Sequence, residues 1–379
     1  MNVEENIKIR PTVDLVNSDE EVQRRLYEMF YEHGPGHGTF LSLPFDQIVE
    51  HGPSYQLGWK LEGDVKDVLK RGYGCADPRT VLELAKQGNY SALVLHPGIA
   101  RKYWRRMIDS DEEFDVPLIY KIDGHVLVPS NPAIPSVIGS LDDAAELGAT
   151  AIGMTFYMGS EETERDMERI AKLIEEAHDY GFPAVVWAYP RGPGINEMGA
   201  DSLFWVHYAV AVAESLGADV IKTKFPKPVA DENKIRAYLG HIMNLARKKK
   251  IEAAERYIEL EPAFGEAITI ENHTLKVRTV GRKTFKELTP EQHTYRVKIV
   301  LDAAPRTFVV FSGGPKKEGD LKRKLVEETK IIMDAGGEGR IIGRNFWGVP
   351  LEEGLELTRA VTEVMTQEQY RRRDPRNRE

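Results

Sequence analysis

Eight short apolar runs, separated by amphipathic stretches, constrain the fold of this chain more than any other feature. They are 39–46 (TFLSLPFD), 92–98 (ALVLHPG), 116–123 (VPLIYKID), 149–156 (ATAIGMTF), 182–190 (FPAVVWAYP), 218–225 (ADVIKTKF), 307–314 (TFVVFSGG) and 339–346 (GRIIGRNF). Each is rich in Val, Ile, Thr or aromatics and closes at Gly, Pro, Asp or Asn, as strands do. Near-continuous apolar character is the mark of parallel strands covered on both faces. The gaps carry helices with legible ends. Asp77 is placed to cap a helix over 77–87, with Pro78 in its first turn. Residues 160–180, SEETERDMERIAKLIEEAHDY, begin on a Ser-Glu-Glu cap and stop at Gly181. Residues 202–216 stop at Gly217, and 350–366 follow Pro350. Eight strand–helix units in 379 residues predict an α/β fold, a closed (β/α)8 TIM barrel rather than an open doubly wound sheet.

The rhythm breaks twice. Residues 1–38 form an N-terminal extension, with a helix over 19–32 and a Gly-rich link, HGPGHG, before a barrel domain over 39–379. Between the sixth and seventh strands, residues 226–306 exceed what one helix requires. They read as an insertion on the sixth connection, with a basic helix around ARKKKIEAAERYIEL and a β-hairpin in EAITIENHTLKVRTVGRKTF. Lys248 to Lys250 read as a solvated helix face.

The net charge of −9 disfavours nucleic acid and anionic membranes as partners. A phosphorylated ligand would need a local cationic pocket. The opening MNVEENIKIRPTVDL has no apolar core of a signal peptide, and no run nears the ~18 apolar residues of a membrane span. A cytoplasmic protein is expected. Cys75 is the single cysteine, so neither an intrachain disulfide nor a Cys-based zinc site can form. The ten histidines are scattered, and no metal or cofactor is expected.

In such a barrel the chemistry sits where the strands end. Residues two apart on a strand share a face, so Lys222 and Lys224 point the same way. Burial and a neighbouring ammonium both lower a lysine pKa from about 10.4, yielding the neutral amine that a Schiff base needs. Spacing does not choose between the two, and pairing with carboxylates is the competing reading. Trp187 and Tyr189 share a face of the fifth strand, with Arg191 beyond. Tyr189 is an acid/base candidate, and core packing is the alternative. Asp46, Lys121 and Asp123 are either polar groups of the site or a buried ion-pair network. Ser312-Gly313-Gly314 and Gly343-Arg344 close the last two strands with turns suited to phosphate. His51 and His125 are placed near the pocket, as structural groups first.

The ordered set PFDQIVEHGP (44–53), VVWAYPRG (185–192), GADVIKTKF (217–225), FSGGPK (311–316) and IIGRN (341–345) resembles the archaeal-type class I fructose-1,6-bisphosphate aldolases, also found in bacteria. GMTFYMGSEETERDMERI resembles the bacterial members in particular. The resemblance implies that Lys222 forms the Schiff base, that Tyr189 is the acid/base with Trp187 beside it, and that Asp46 contacts substrate hydroxyls. It implies phosphate binding at Ser312, Gly313, Gly314, Gly343 and Arg344. Lys121, Lys224 and Arg191, at or just beyond strand ends, are further candidates for substrate binding. Arg191 and Lys316 are candidates for the C6 phosphate. A sugar-phosphate substrate and a homo-oligomer follow from the same resemblance. Phe-Asp-Gln departs from the usual first motif, and the 226–306 insertion is longer than in compact archaeal members, so substrate range stays open. The alternatives are a related Schiff-base barrel, either a transaldolase-like synthase of an aromatic-amino-acid precursor or a thiolase-like enzyme on a phosphorylated diketone, and a non-catalytic sugar-phosphate-binding barrel.

Overall fold

The computed structural model describes residues 10–52, 78–126, 134–229, 288–314 and 319–376, with positions 234, 237, 238, 240, 241 and 244 and strands 268–271 and 274–277 between. Cys75, the Asp77 cap, the basic helix and Lys316 lie outside the described residues. Each of the eight apolar runs supplies one strand: β1 (Phe40–Phe45), β2 (Ala92–Leu95), β3 (Leu118–Lys121), β4 (Ala151–Met158), β5 (Ala184–Pro190), β6 (Val220–Thr223), β7 (Phe308–Ser312) and β8 (Gly339–Ile341). All pair in parallel, and β8 closes on β1 with Ser42 opposite Ile341. The ring helices used below are α1 (Thr163–Asp179), α2 (Leu203–Ser215), α3 (Pro290–Asp302) and α4 (Leu321–Asp334). Among the described residues, no helix is long and apolar enough to cross a membrane.

Near-continuous apolarity follows from two separate cores. One face of the strands packs on the helices through residues such as Leu41, Leu93, Ile221 and Val309. The other fills the barrel axis with Phe40, Val94, Ile119, Val185, Val220, Phe308, Val310 and Ile341. The N-terminal extension completes this inner core. Its helix Glu20–Tyr27 is capped by Asp19, whose carboxylate accepts from the Glu21 and Val22 amides. Val22, Leu26, Met29 and Phe30 enter the barrel's N-terminal mouth, where Phe30 stacks on Phe40 and Phe308 at 4.9 and 4.3 Å.

Two boundaries differ from expectation. α1 starts at Thr163, because Ser160 to Thr163 form a turn in which the Thr163 amide and hydroxyl both donate to the Ser160 carbonyl. The expected insertion also takes in α3, which is the ring helix after β6 and begins on a Thr289–Gln292 capping box. The insertion therefore narrows to 226–289. Within it the hairpin is present, Ile268–Glu271 antiparallel to Thr274–Val277.

Candidate active site

The C-terminal ends of β1, β5, β6, β7 and β8 surround a cavity of about 520 Å³, lined among others by Asp46, Gln47, Glu50, His51, Trp187, Tyr189, Arg191, Lys222, Lys224, Ser312, Gly313, Gly314, Gly343 and Arg344. Lys222 stands on β6 in register with Trp187 on β5 and Val310 on β7. It is 6% exposed, and its Nζ lies 4.6 Å from the Trp187 ring and 5.9 Å from that of Tyr189. Burial lowers its pKa to about 8, against the pull of Asp46 and Glu50 and with help from Lys121 and Arg344.

The two lysines that spacing could not separate have different surroundings. Lys224 Nζ is 2.5 Å from Asp201 Oδ1, and Lys227 shares the same carboxylate at 3.3 Å. Among the described residues no carboxylate forms a salt bridge with Lys222. Of the two lysines, Lys222 is therefore the one without a salt bridge among the described residues. The pairing reading describes Lys224 instead, through an aspartate in the loop before α2.

Tyr189 keeps its proton. Burial raises its pKa, the Asp46 and Glu50 charges add to this, and Ser312 and Arg191 only partly oppose it. The neutral phenol is therefore the form its surroundings favour. Burial alone would raise Asp46, but Lys222, Lys121 and His96 hold it below the ordinary value. Glu50 is raised by burial. His51 falls to about 4 through burial and then Arg344 and Arg191, so it lines the cavity as a neutral ring.

The turns after β7 and β8 interlock. Gly313 N–H donates to the Ile341 carbonyl at 3.0 Å, so this amide is already used. Asn345 Nδ2 donates to the Gly313 carbonyl at 3.1 Å and Arg344 Nη2 to the Gly314 carbonyl at 3.3 Å. Gly314 needs its freedom at φ 69°. A side chain at Gly343 would meet the Pro44 carbonyl at 2.8 Å, so only glycine lets β8 turn this closely past β1.

Lys121 is not brought into the cavity. It is fully buried, and its Nζ donates to the Asp123 carboxylate and, at 2.9 Å, to the Asp123 carbonyl. Asp123 also pairs with Arg169 of α1 at 2.8 Å, and Arg169 pairs with Asp166 at 2.7 Å. Of the two readings offered by shared parity, the ion-pair network describes Lys121 and Asp123, while Asp46 faces the cavity. His96 bonds the Asp123 carbonyl at 3.2 Å, and His125 packs edge-on against Tyr157. His33 and His37 stand four apart in the Gly-rich link. No group of three His, Cys, Asp or Glu able to hold a metal lies among the described residues.

A family model described as DeoC/LacD family aldolase matches residues 40–348, which span all eight strands and both glycine turns. The chain belongs to the DeoC/LacD aldolase family. It is 30% identical over 340 residues to a class 1 fructose-bisphosphate aldolase of Thermoproteus tenax, covering 90% of this chain and 94% of that one. To the class 1 enzyme of Halobacterium salinarum it is 32% identical over 311 residues, 82% and 84% of the two chains. Its fold is similar to an archaeal fructose-1,6-bisphosphate aldolase solved with its catalytic lysine bound to the carbinolamine intermediate (TM-score 0.60, 23% identity, 90% and 98% coverage). It is also similar to the fructose-bisphosphate aldolase of Slackia heliotrinireducens (TM-score 0.64, 19% identity, 94% and 92% coverage).

Sequence reasoning passed over Glu50 in this DeoC/LacD aldolase. A signal was present, since Glu50 follows Asp46 by four residues and the short helix Gln47–His51 sets such positions on one face. It also passed over Asp201, which no local pattern ties to Lys224. Gln47, next to Asp46, lines the cavity with both side-chain amide atoms unpartnered.

Proposed function

We propose that this chain is a class I fructose-1,6-bisphosphate aldolase that cleaves its substrate reversibly to dihydroxyacetone phosphate and glyceraldehyde 3-phosphate through a Schiff base on Lys222. The observation that carries the reading is a buried amine with no carboxylate salt bridge among the described residues, lowered to about 8 and facing a cavity that the glycine turns also line. Neutral Lys222 attacks the C2 ketone of the open-chain sugar to give a carbinolamine. The Tyr189 phenol donates its proton as the C2 hydroxyl leaves as water, forming the iminium. The tyrosinate left behind, beside the new cation, takes the C4 hydroxyl proton as the C3–C4 bond breaks. Glyceraldehyde 3-phosphate departs, C3 of the enamine is protonated, and water frees dihydroxyacetone phosphate and the amine. Asp46 accepts from substrate hydroxyls. Ser312, Gly314, Gly343 and Arg344 hold the C1 phosphate, which positions the ketone over the lysine. Arg191 and Lys224 line the same cavity as cations for the far end of the substrate.

Borohydride added with fructose 1,6-bisphosphate should label one peptide, at Lys222, and Lys222→Met should abolish both labelling and turnover. EDTA should leave the rate unchanged, because the iminium is the electron sink. Full turnover by Lys222→Met, or no triose phosphate from the wild type, would sink the reading. The family resemblance further implies a cytoplasmic homo-oligomer, which sedimentation would test for assembly.

A further inference from the structure

We infer that Lys121 is a positioning residue of this reaction: locked in a buried ion-pair cluster under Trp187, it cancels the Asp123 carboxylate and so keeps the Lys222 amine without an anionic partner. The inference rests on the Schiff-base reading and adds to it a group that touches neither substrate nor the reacting atoms.

The geometry runs across four neighbouring strands. Lys121 on β3 pairs in register with Gly153 on β4, Gly153 with Val185 on β5, and Trp187 of β5 with Lys222 on β6. Gly153 is what lets the two ends communicate. A Cβ there would lie 2.8 Å from the Trp187 ring, so the indole passes over this strand only because the side chain is missing. The ring lies 5.4 Å from Lys121 Nζ and 4.6 Å from Lys222 Nζ. One indole is thus the common neighbour of both ammonium groups.

The cluster is balanced by formal charge, with Lys121 and Arg169 against Asp123 and Asp166. Asp123 is completely enclosed, and the same two carboxylate oxygens also accept from the Thr155 amide at 3.1 and 2.9 Å. Without Lys121 the cluster would carry a net negative charge in a low-dielectric interior, beside the indole that Lys222 also contacts. The other groups whose charge or proximity bears on Lys222 are Asp46, Glu50 and His51 after β1, Tyr189 on β5 and Arg344 after β8. Asp46 and Glu50 already favour its charged form, and Lys121 acts against them. A third anion left unbalanced would tip that competition.

The test is the pH profile of kcat/KM for fructose 1,6-bisphosphate cleavage, with the rate of borohydride trapping measured over the same range. In Lys121→Met the acid limb should move up by roughly one pH unit, which lowers the rate at pH 7 about tenfold and leaves it near wild type above the shifted limb. Lys121→Gln, which keeps a donor for Asp123, should move the limb the same way and covers the case where the methionine variant does not fold. The charge-balanced pair Lys121→Met with Asp123→Asn should return the limb toward its original place. A limb that stays put in a folded Lys121 variant, an equal loss at every pH, or a limb still displaced in the double variant overturns the inference. Loss of trapping in the wild type would instead overturn the Schiff-base reading, so the two failures are told apart.

Discussion

At the scale of single residues, the site is a competition for protons. Lys222 is lowered by burial while Tyr189 is raised by it, so at neutral pH a part of the amine is free and the phenol is intact. The sign for activity follows directly. The free enzyme gains competence as pH rises through the lysine pKa, so kcat/KM should climb to a plateau with an acid limb near pH 8. Tyr189→Phe removes the proton donor and keeps the ring beside Lys222, and should lower kcat by roughly 10²- to 10⁴-fold with little change in stability. Steady-state kinetics alongside thermal melts would show whether the two effects separate in this way.

At the scale of elements, glycines decide how near neighbouring parts can come. Gly153→Ala would drive a methyl into the Trp187 indole and should destabilise the protein by about 1–3 kcal/mol while displacing the ring next to Lys222. Denaturant melts and kcat together test this, and a variant with unaltered kcat would mean that the indole position is unimportant. At the other end of the barrel, His178 at the end of α1 lies 2.7 Å from Asp219, which also accepts from Asn17 of the extension at 2.7 Å and from the Ala184 amide. The Asp219 carboxylate raises the His178 pKa. A raised folded-state pKa stabilises fully below the unfolded value near 6.5, and this is lost as pH rises through the folded value. The melting advantage of the wild type over His178→Gln should accordingly be present at pH 6 and shrink by pH 9.

At the scale of the whole molecule, one end of the barrel is sealed and the other holds the chemistry. The extension adds Phe30 to the axis core, and both Arg10 and Arg372 hold the enclosed Glu338 at 2.7 and 3.0 Å. Chain ends distant in sequence therefore meet at one carboxylate beside β8. Phe30→Ala should lower stability by about 3–5 kcal/mol, because the ring is fully enclosed between Phe40 and Phe308 and the mouth cannot collapse onto the space. Calorimetry would measure it. Activity at temperatures where the variant is folded should be close to wild type, since the plug lies at the end of the barrel opposite the cavity.

The sequence by itself determined the number and order of the strands, because a strand covered on both faces must be apolar along its length and that pattern is local. It also determined which residues stand at strand ends, since period-two alternation aligned Trp187 with Tyr189 and Lys222 with Lys224. Only the tertiary structure decided which of those groups are paired. Lys121 and Lys222 have the same chemistry and comparable places on their strands, yet one is bound to Asp123 and the other is not. Asp201 reaches Lys224, and Arg169 reaches Asp123, from loops and helices whose positions depend on how the barrel closes. Charge compensation acts through space between residues far apart in the chain, so the state of an amine is a property of the folded molecule and not of its neighbours in sequence.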